Sequence, residues 1–552
     1  MQQKAWMEKN YYHSRFSVLF LCSLLYIFLS ASDAAAAPPL PGPSSIRSEA
    51  AALLRWKESL EGPHGNLTYD LKTWTPPSGA ATSRPKVSVS PCSWEGIICN
   101  SAGSVTEIHL QDRGLRGTLD ELSLSSFPSL AHLDLSGNLL EGVLQNLSFS
   151  SINNLIHLDL SDNDFYGTLD NLSSSPGLTY LDVSRNGLHG RFPSNIRETL
   201  PQLTHLYVSG NRLSGTLPPL FNNWTNLNSL GLDSNNFSGS IPPEIGKLAK
   251  LEILDLSYNQ LNGSIPEEIG GLVNLVSLHL MNNSLSGVIP SSIGNLSDLG
   301  YLSLHGNSIS SSIPQEIGHL GNLVLVDLGS NLLGGIIPKS IGGLLKLNFL
   351  HIVFNNIPGS IPSEIGNLTS LYYLNASHNS LGSIPSEIGN LTSLLSLDAS
   401  HNYLSGNIPR SWSNLGSLYD LRLDGNRLSG GPIPPEIGSL TNLTFLSLDL
   451  NRISGPIPQE MGSLLSVGNL SLSNNSLIGP LPSSLGNLSR LEGLYLDGNH
   501  IFGPIPPEIG ELQRVSVLDL SGNRSPRLCA SSSSSNVFTS IGIDFVGRSL
   551  QS

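Results

Sequence analysis

Along the middle of the chain, histidines, aromatic rings, carboxylates and one arginine return in recurring slots. They run His279 and Met281, then Tyr301, Ser303 and His305, then Asp327, then Phe349, His351 and Phe354, then Tyr373 and His378, then Asp398 and His401, with Arg422 beyond. Such groups could act as acids and bases, ligate a metal, or hold a partner non-covalently through rings, imidazoles and a guanidinium. The pattern argues against the first two. Each titratable residue falls in a variable slot of a repeat, and the chain carries no H-E-x-x-H, no G-x-S-x-G, no P-loop and no zinc-spaced cysteine set. No catalytic residue, metal or cofactor is therefore expected. Recognition remains, because exposed aromatics with hydrogen-bonding tips are typical of binding hot spots. The early repeats differ, with Asp134, Asp159 and Asp182 in the corresponding slots. A ligand-binding face is expected from His279 to Arg422. A blander reading stays open: strand propensity favours Tyr and Phe, and stacked rings also stabilise a bare sheet surface. The five histidines His279, His305, His351, His378 and His401 are expected to be charged below about pH 6.5 and neutral above it.

The elements that position these residues are written in a repeating sentence, L-x-x-L-x-L-x-x-N-x-L-x-G-x-I-P. Its asparagine recurs mostly at 24-residue steps, as in Asn235, Asn259, Asn283, Asn307, Asn331 and Asn355. That period lies in the leucine-rich-repeat range and predicts an α/β solenoid, since one coil buries its apolar face only against its neighbours. In the coil from Leu251 to Gly263, Leu251, Leu254, Leu256 and Leu261 should face inward. Ile253, Asp255, Ser257 and Tyr258 should face outward from a short strand. The strands then form one long parallel concave β-sheet. Asn259 should turn inward and satisfy backbone groups that the bend leaves unpaired.

Other segments bound the solenoid. Glu49 to Lys57 has helical spacing, with Ala52, Leu53, Trp56 and Leu60 in one apolar stripe, and should cover the open edge of the first coil. Trp56, Trp74 and Trp94 are expected in the core of this cap. Cys92 and Cys99 form the only close pair and are expected to be bridged in an oxidising compartment. Residues 1–37 read as a secretory leader: Lys4, Lys9 and Arg15 precede an apolar run from Phe16 to Leu29 and an alanine-rich stretch. Glycosylation sequons fit that route. Occupancy is expected at Asn66, Asn146, Asn171, Asn223, Asn236, Asn262, Asn295, Asn367, Asn390, Asn442 and Asn487, mainly away from the sheet face. With only 13% charged residues and a net charge of -14 there is no basic stripe, and nucleic acid is excluded as a partner.

The E-A-x-A-L-L-x-W-K start, the C-S-W-x-G-I-x-C motif and the G-x-I-P repeats resemble the extracellular part of plant leucine-rich-repeat receptor-like kinases and receptor-like proteins, over about Arg47 to Asn523. The resemblance implies a plant-type leucine-rich-repeat superhelix with a helical, disulfide-pinned N-terminal cap. The expected organisation is a leader at 1–37, a cap at 38–100, about 18 repeats at 101–523 and a Ser-rich tail at 524–552. It also implies a secreted peptide or microbial elicitor as ligand and a co-receptor leucine-rich-repeat kinase as partner. The chain departs from the family at its C-terminal end. Cys529 has no second cysteine nearby, and no membrane span or kinase is expected, so the chain is either a natural soluble form or part of a longer receptor. Secretion to the apoplast or cell wall is expected. Two alternatives stay open: an inhibitor of a microbial cell-wall hydrolase, resembling polygalacturonase inhibitors, and a ligand-sequestering decoy.

Overall fold

The computed structural model describes residues 43–60, 71–75, 90–144, 152–169, 176–193, 196–219, 224–524 and 544–545. The leader, Cys529, most of the tail and the sequons at Asn66, Asn146, Asn171 and Asn223 lie outside the described residues. The chain divides into a leading segment, Met1–Ser45, and a body, Ile46–Ser552. All the repeats fall in the body.

Each coil contributes a short strand whose central residue is a buried aliphatic. Ile253–Asp255 pairs in parallel with Ser229–Gly231 on one side and Ser277–His279 on the other, aligning Leu230, Leu254 and Leu278. All three are fully buried. Burying such a side chain is worth about 1.5–3 kcal/mol, so register is fixed by the leucine: a slip of one residue would turn it to solvent. Repetition yields a 20-stranded sheet. It is parallel except at its start, where Ile97–Cys99 runs antiparallel to Val105–His109. Behind it Leu251, Leu256 and Leu261 are buried as expected, and 3-10 helices such as Glu267–Gly271 carry the chain back while burying Ile269. The segment after the asparagine does more than bend. From Arg116–Thr118 to Leu332–Leu333 it builds a second, 10-stranded parallel sheet.

The asparagine joins coils as well as finishing its own. Asn259 Nδ2 donates to the carbonyls of Leu256 (3.2 Å), Ser257 (3.1 Å) and, one coil back, Leu232 (3.0 Å). Its Oδ1 accepts the Phe237 N–H at 2.9 Å. This bend imposes an unusual backbone on the preceding residue, which takes a positive φ in coil after coil: Tyr258, Asn282, Ser330, Phe354, His378 and His401 lie between 51° and 53°. Left-handed geometry costs a non-glycine residue about 1–2 kcal/mol, offset here by the amide's hydrogen bonds. The outward expectation for Ser257 is corrected: it is buried, because the backbone is already turning in towards the asparagine.

Two irregular coils leave the main sheet undisturbed. The coil at Asn379 lacks a residue, and a separate two-stranded pairing of Pro358–Ser360 with Ser380–Ser383 takes up the difference as a shift at Gly359/Ser360. The coil at Asn426 has an extra residue around Gly430 and Gly431. Tyr373, Ser396, Asp420 and Phe445 nevertheless stay in register across the main sheet.

A helix, Pro43–Ser59, covers the first coils. Ala52, Leu53, Trp56 and Leu60 are buried, as are Trp74 and Trp94. Trp74 stacks on Trp94 at 5.6 Å, the Trp56 indole N–H donates to the Thr118 carbonyl at 2.9 Å, and the Lys57 ammonium donates to the carbonyls of Leu71 and Trp74 at 2.8 Å each. Cys92 and Cys99 are bridged. Glu49 is fully buried in this cap, with Oε2 accepting the Val105 N–H at 3.2 Å.

Candidate ligand-binding face

Three columns of side chains cross the outer face of the main sheet between His279 and Arg422. The first comes from strand starts. Phe349 meets Tyr372 edge-on at 4.5 Å and Tyr373 at 5.9 Å, with Tyr301 two coils before Phe349. The second comes from strand ends and the slot two residues on. It holds His279, Met281, His305, Asp327, His351, Asp398 and Arg422. The third is the left-handed column, where Phe354 stacks on His378 at 4.2 Å and His378 on His401 at 4.3 Å. Neighbouring strands lie about 4.8 Å apart, so flat rings held in one slot of successive coils come nearly into van der Waals contact. Phe354 remains 49% exposed in this stack.

The middle column is polar and tightly knit. His305 Nδ1 and His351 Nδ1 approach the same oxygen, Asp327 Oδ1, at 3.4 and 3.2 Å. That oxygen also accepts the Gly329 N–H at 3.0 Å. The two imidazole planes are nearly parallel, 6° apart, with centroids 6.2 Å apart. Burial alone would raise the Asp327 carboxyl, but the two imidazoles overcome it and hold it below the usual carboxylate range. Burial alone would lower His351, but the Asp327 charge overcomes it and holds that imidazole above its ordinary value. Farther along, Asp398 Oδ1 accepts the Ser400 N–H and hydroxyl. The Arg422 guanidinium pairs with Asp420 at 3.0 Å and lies 4.4 Å from the Phe445 ring centroid.

Several expectations change on this face. Ser303 is buried, 2% exposed, because its short side chain lies below the longer ones of Tyr301 and His305 beside it. It cannot offer a ligand contact. Asp327 is likewise covered, so it acts through the imidazoles above it. The histidines do not titrate together: burial, with the nearby His401 adding to it, lowers His378, while His351 is raised. Nor are rings confined to the middle coils. His157 stacks on Tyr180 at 4.1 Å, with His132, His205 and Tyr207 adjoining them. Reading only the slot of Asp134, Asp159 and Asp182 missed these neighbours two residues earlier. Tyr372, Phe445 and Gly329 were also missed, although Phe445 holds the same strand slot as Phe349 one coil past Arg422. No spacing signal joins His305, Asp327 and His351, because they lie on three different coils.

Among the sequons within the described residues, Asn375 and Asn469 lie on main-sheet strands and Asn282 and Asn474 in the left-handed slot, whereas those expected to carry glycans lie elsewhere. Asn295, Asn367, Asn390 and Asn487 end return-side 3-10 helices and are exposed. Asn236, Asn262 and Asn442 are exposed too. Among the described residues no helix is long and apolar enough to cross a membrane.

Family comparisons bear on this architecture. A leucine-rich repeat N-terminal domain model matches residues 46–100, a leucine rich repeat model matches 201–261 and 225–285, and a leucine-rich repeat region model matches 283–376 and 362–502. A curated Arabidopsis thaliana protein, named as a probable leucine-rich repeat receptor-like protein kinase, is 38% identical over 127 residues. That alignment spans 23% of this chain and 9% of the relative's length. Among solved structures, the Arabidopsis receptor kinase HAESA, in complex with the peptide hormone IDA and the co-receptor SERK1, superposes with a TM-score of 0.71 at 31% identity. The match covers 87% of this chain and 82% of that one. A TDR receptor follows at 0.68 and 29%, over 76% and 80% of the two chains. The capped, asparagine-laddered solenoid and its relatives together show that the chain belongs to the plant leucine-rich-repeat receptor-like family, as an ectodomain.

Proposed function

We propose that the chain is an extracellular recognition ectodomain that holds a secreted peptide or microbial elicitor along the face from His279 to Arg422, in defence or developmental signalling. The observation that carries this reading is the composition of the face. It has two aromatic columns, around Phe349 and along Phe354, His378 and His401, and they flank a polar centre of imidazoles, carboxylates and a guanidinium. An extended peptide laid across the coils meets apolar anchors on both sides and hydrogen-bonding groups between them, as hot-spot recognition requires. HAESA, similar in fold, is seen with a peptide hormone and a co-receptor. By that analogy a co-receptor leucine-rich-repeat kinase docks near the C-terminal coils and supplies the signalling step. Exposed sequons on the return side fit glycosylation in an apoplastic or cell-wall setting without blocking the face.

The test removes rings without straining the backbone. Ser234 and Ser330 already occupy the left-handed slot elsewhere in the chain, so Phe354→Ser, His378→Ser and His401→Ser together keep the fold. The wild-type chain, incubated with a secreted peptide fraction, should retain a short peptide identifiable by mass spectrometry. The triple variant should bind that peptide at least about a hundredfold more weakly, consistent with loss of two or more hot-spot contacts. Equal affinity at an unchanged melting temperature would reject this face as the binding site.

A further inference from the structure

We infer that His305, Asp327 and His351 bind a divalent transition-metal ion of the zinc and copper class, through Nδ1 of each imidazole and Oδ1 of the carboxylate. The three ligand atoms lie within 4.8 Å of one another. A tetrahedral ion with bonds of about 2.0–2.1 Å holds its ligand atoms roughly 3.3 Å apart. The two imidazole-to-carboxylate edges, at 3.4 and 3.2 Å, already have that length; the ring planes, 6° from parallel, must turn towards each other so that both Nδ1 lone pairs meet at the ion.

Three further features make this more than a chance contact. Asp327 is 6% exposed, and the Gly329 N–H fixes its Oδ1 at 3.0 Å, so the anchoring ligand is held before any ion arrives. Gly329 also leaves the space that His305 uses to lean across to the next coil. A Cβ there would stand 2.8 Å from His305 Nδ1 and 3.3 Å from Asp327 Oδ1. The imidazole side chains are 23% and 22% exposed, which gives an ion a route in from solvent and leaves a coordination position for water or an outside ligand. Two imidazoles and one carboxylate suit zinc, copper or nickel; calcium and magnesium demand more oxygen ligands. Glu107, His109 and His132 form a looser group. Its side chains are 30–41% exposed and one approach is 3.7 Å, so it lacks a buried anchor and serves as a control. The inference does not depend on the peptide reading, and its test uses no peptide.

The full secreted chain, stripped with a chelator, is titrated with Zn2+ by calorimetry and with Co2+ by visible absorption. One equivalent should bind, and the cobalt form should show the intense bands of low coordination number. His305→Gln and His351→Gln should each weaken binding by at least about tenfold with melting temperatures unchanged. Gly329→Ala, which removes no ligand, should weaken it as well by crowding His305. His109→Gln should leave it unchanged. Failure to bind one equivalent, or equal binding by the His305→Gln and His351→Gln variants, would overturn the assignment and leave a plain hydrogen-bonded triad.

Discussion

Glu49 makes the stability of the cap depend on pH in a direction opposite to that of most carboxylates. Burial pushes its carboxyl from 4.5 up to about 7, against the lowering effects of the Val105 N–H and the Ser104 hydroxyl. A folded-state value above the unfolded one means that the folded chain holds this proton while the unfolded chain has released it. Stability therefore falls as pH rises from about 4.5 to about 7 and is flat above. At about 1.4 kcal/mol per pH unit, the difference amounts to about 3 kcal/mol. Glu49→Gln keeps an acceptor for the Val105 N–H and removes the charge, so the cap of that variant should be more stable near pH 7.5 by up to that amount and nearly equal to wild type near pH 4.5. The cap carries its own reporter, because Trp56, Trp74 and Trp94 are packed within it. With Trp6, Trp224 and Trp412 replaced by Phe in both proteins, urea unfolding followed by tryptophan fluorescence at several pH values reads the cap directly. A Glu49→Gln protein that keeps the full wild-type pH slope would refute the reasoning, since the slope would then belong to other groups.

The ladder, the close approaches and the early histidines give further expectations. Asn235→Leu orphans the Leu213 N–H, bonded at 2.9 Å, and leaves the Val208 carbonyl with Asn211 Nδ2 at 3.0 Å in place of two amide donors, and should destabilise by about 1–3 kcal/mol in chemical denaturation. Gly246→Ala would bring a Cβ within 2.0 Å of the Glu268 carbonyl oxygen, whereas Gly321→Ala meets nothing within 4 Å. The first should cost about 1–3 kcal/mol and the second almost nothing, as a pair of thermal melts would show. His157 is pushed down to about 4, first by burial and then by neighbouring His132. Its ring should stay neutral at pH 6 in an NMR titration, and because the unfolded chain takes up that proton first, its contribution to stability declines as pH falls from about 6.5 to about 4. A His157 midpoint near 6.5 would contradict the packing described for it against Tyr180.

Much of the architecture was legible because the code repeats. A leucine every few residues, an asparagine at one interval and a tryptophan-bearing helix ahead of a close cysteine pair leave few ways to bury apolar surface, so the sheet, ladder, cap and bridge follow. The face was legible only as a set of outward slots. Ser257 and Ser303 occupy such slots yet are buried, because exposure depends on the height of neighbouring side chains and on where the backbone begins to turn. The second sheet was also hidden, since G-x-I-P reads equally well as a turn.

Sequence by itself determined which residues lie in register on the face, since a solenoid with a fixed period places every coil over the last. Tertiary structure alone decided which of those residues touch. The Phe354, His378 and His401 stack exists because the asparagine bend forces one slot into left-handed geometry and strand spacing brings flat rings together. His305, Asp327 and His351 converge because one ring leans across a coil where Gly329 has no Cβ. Such contacts depend on side-chain direction between coils, which a one-dimensional period does not encode.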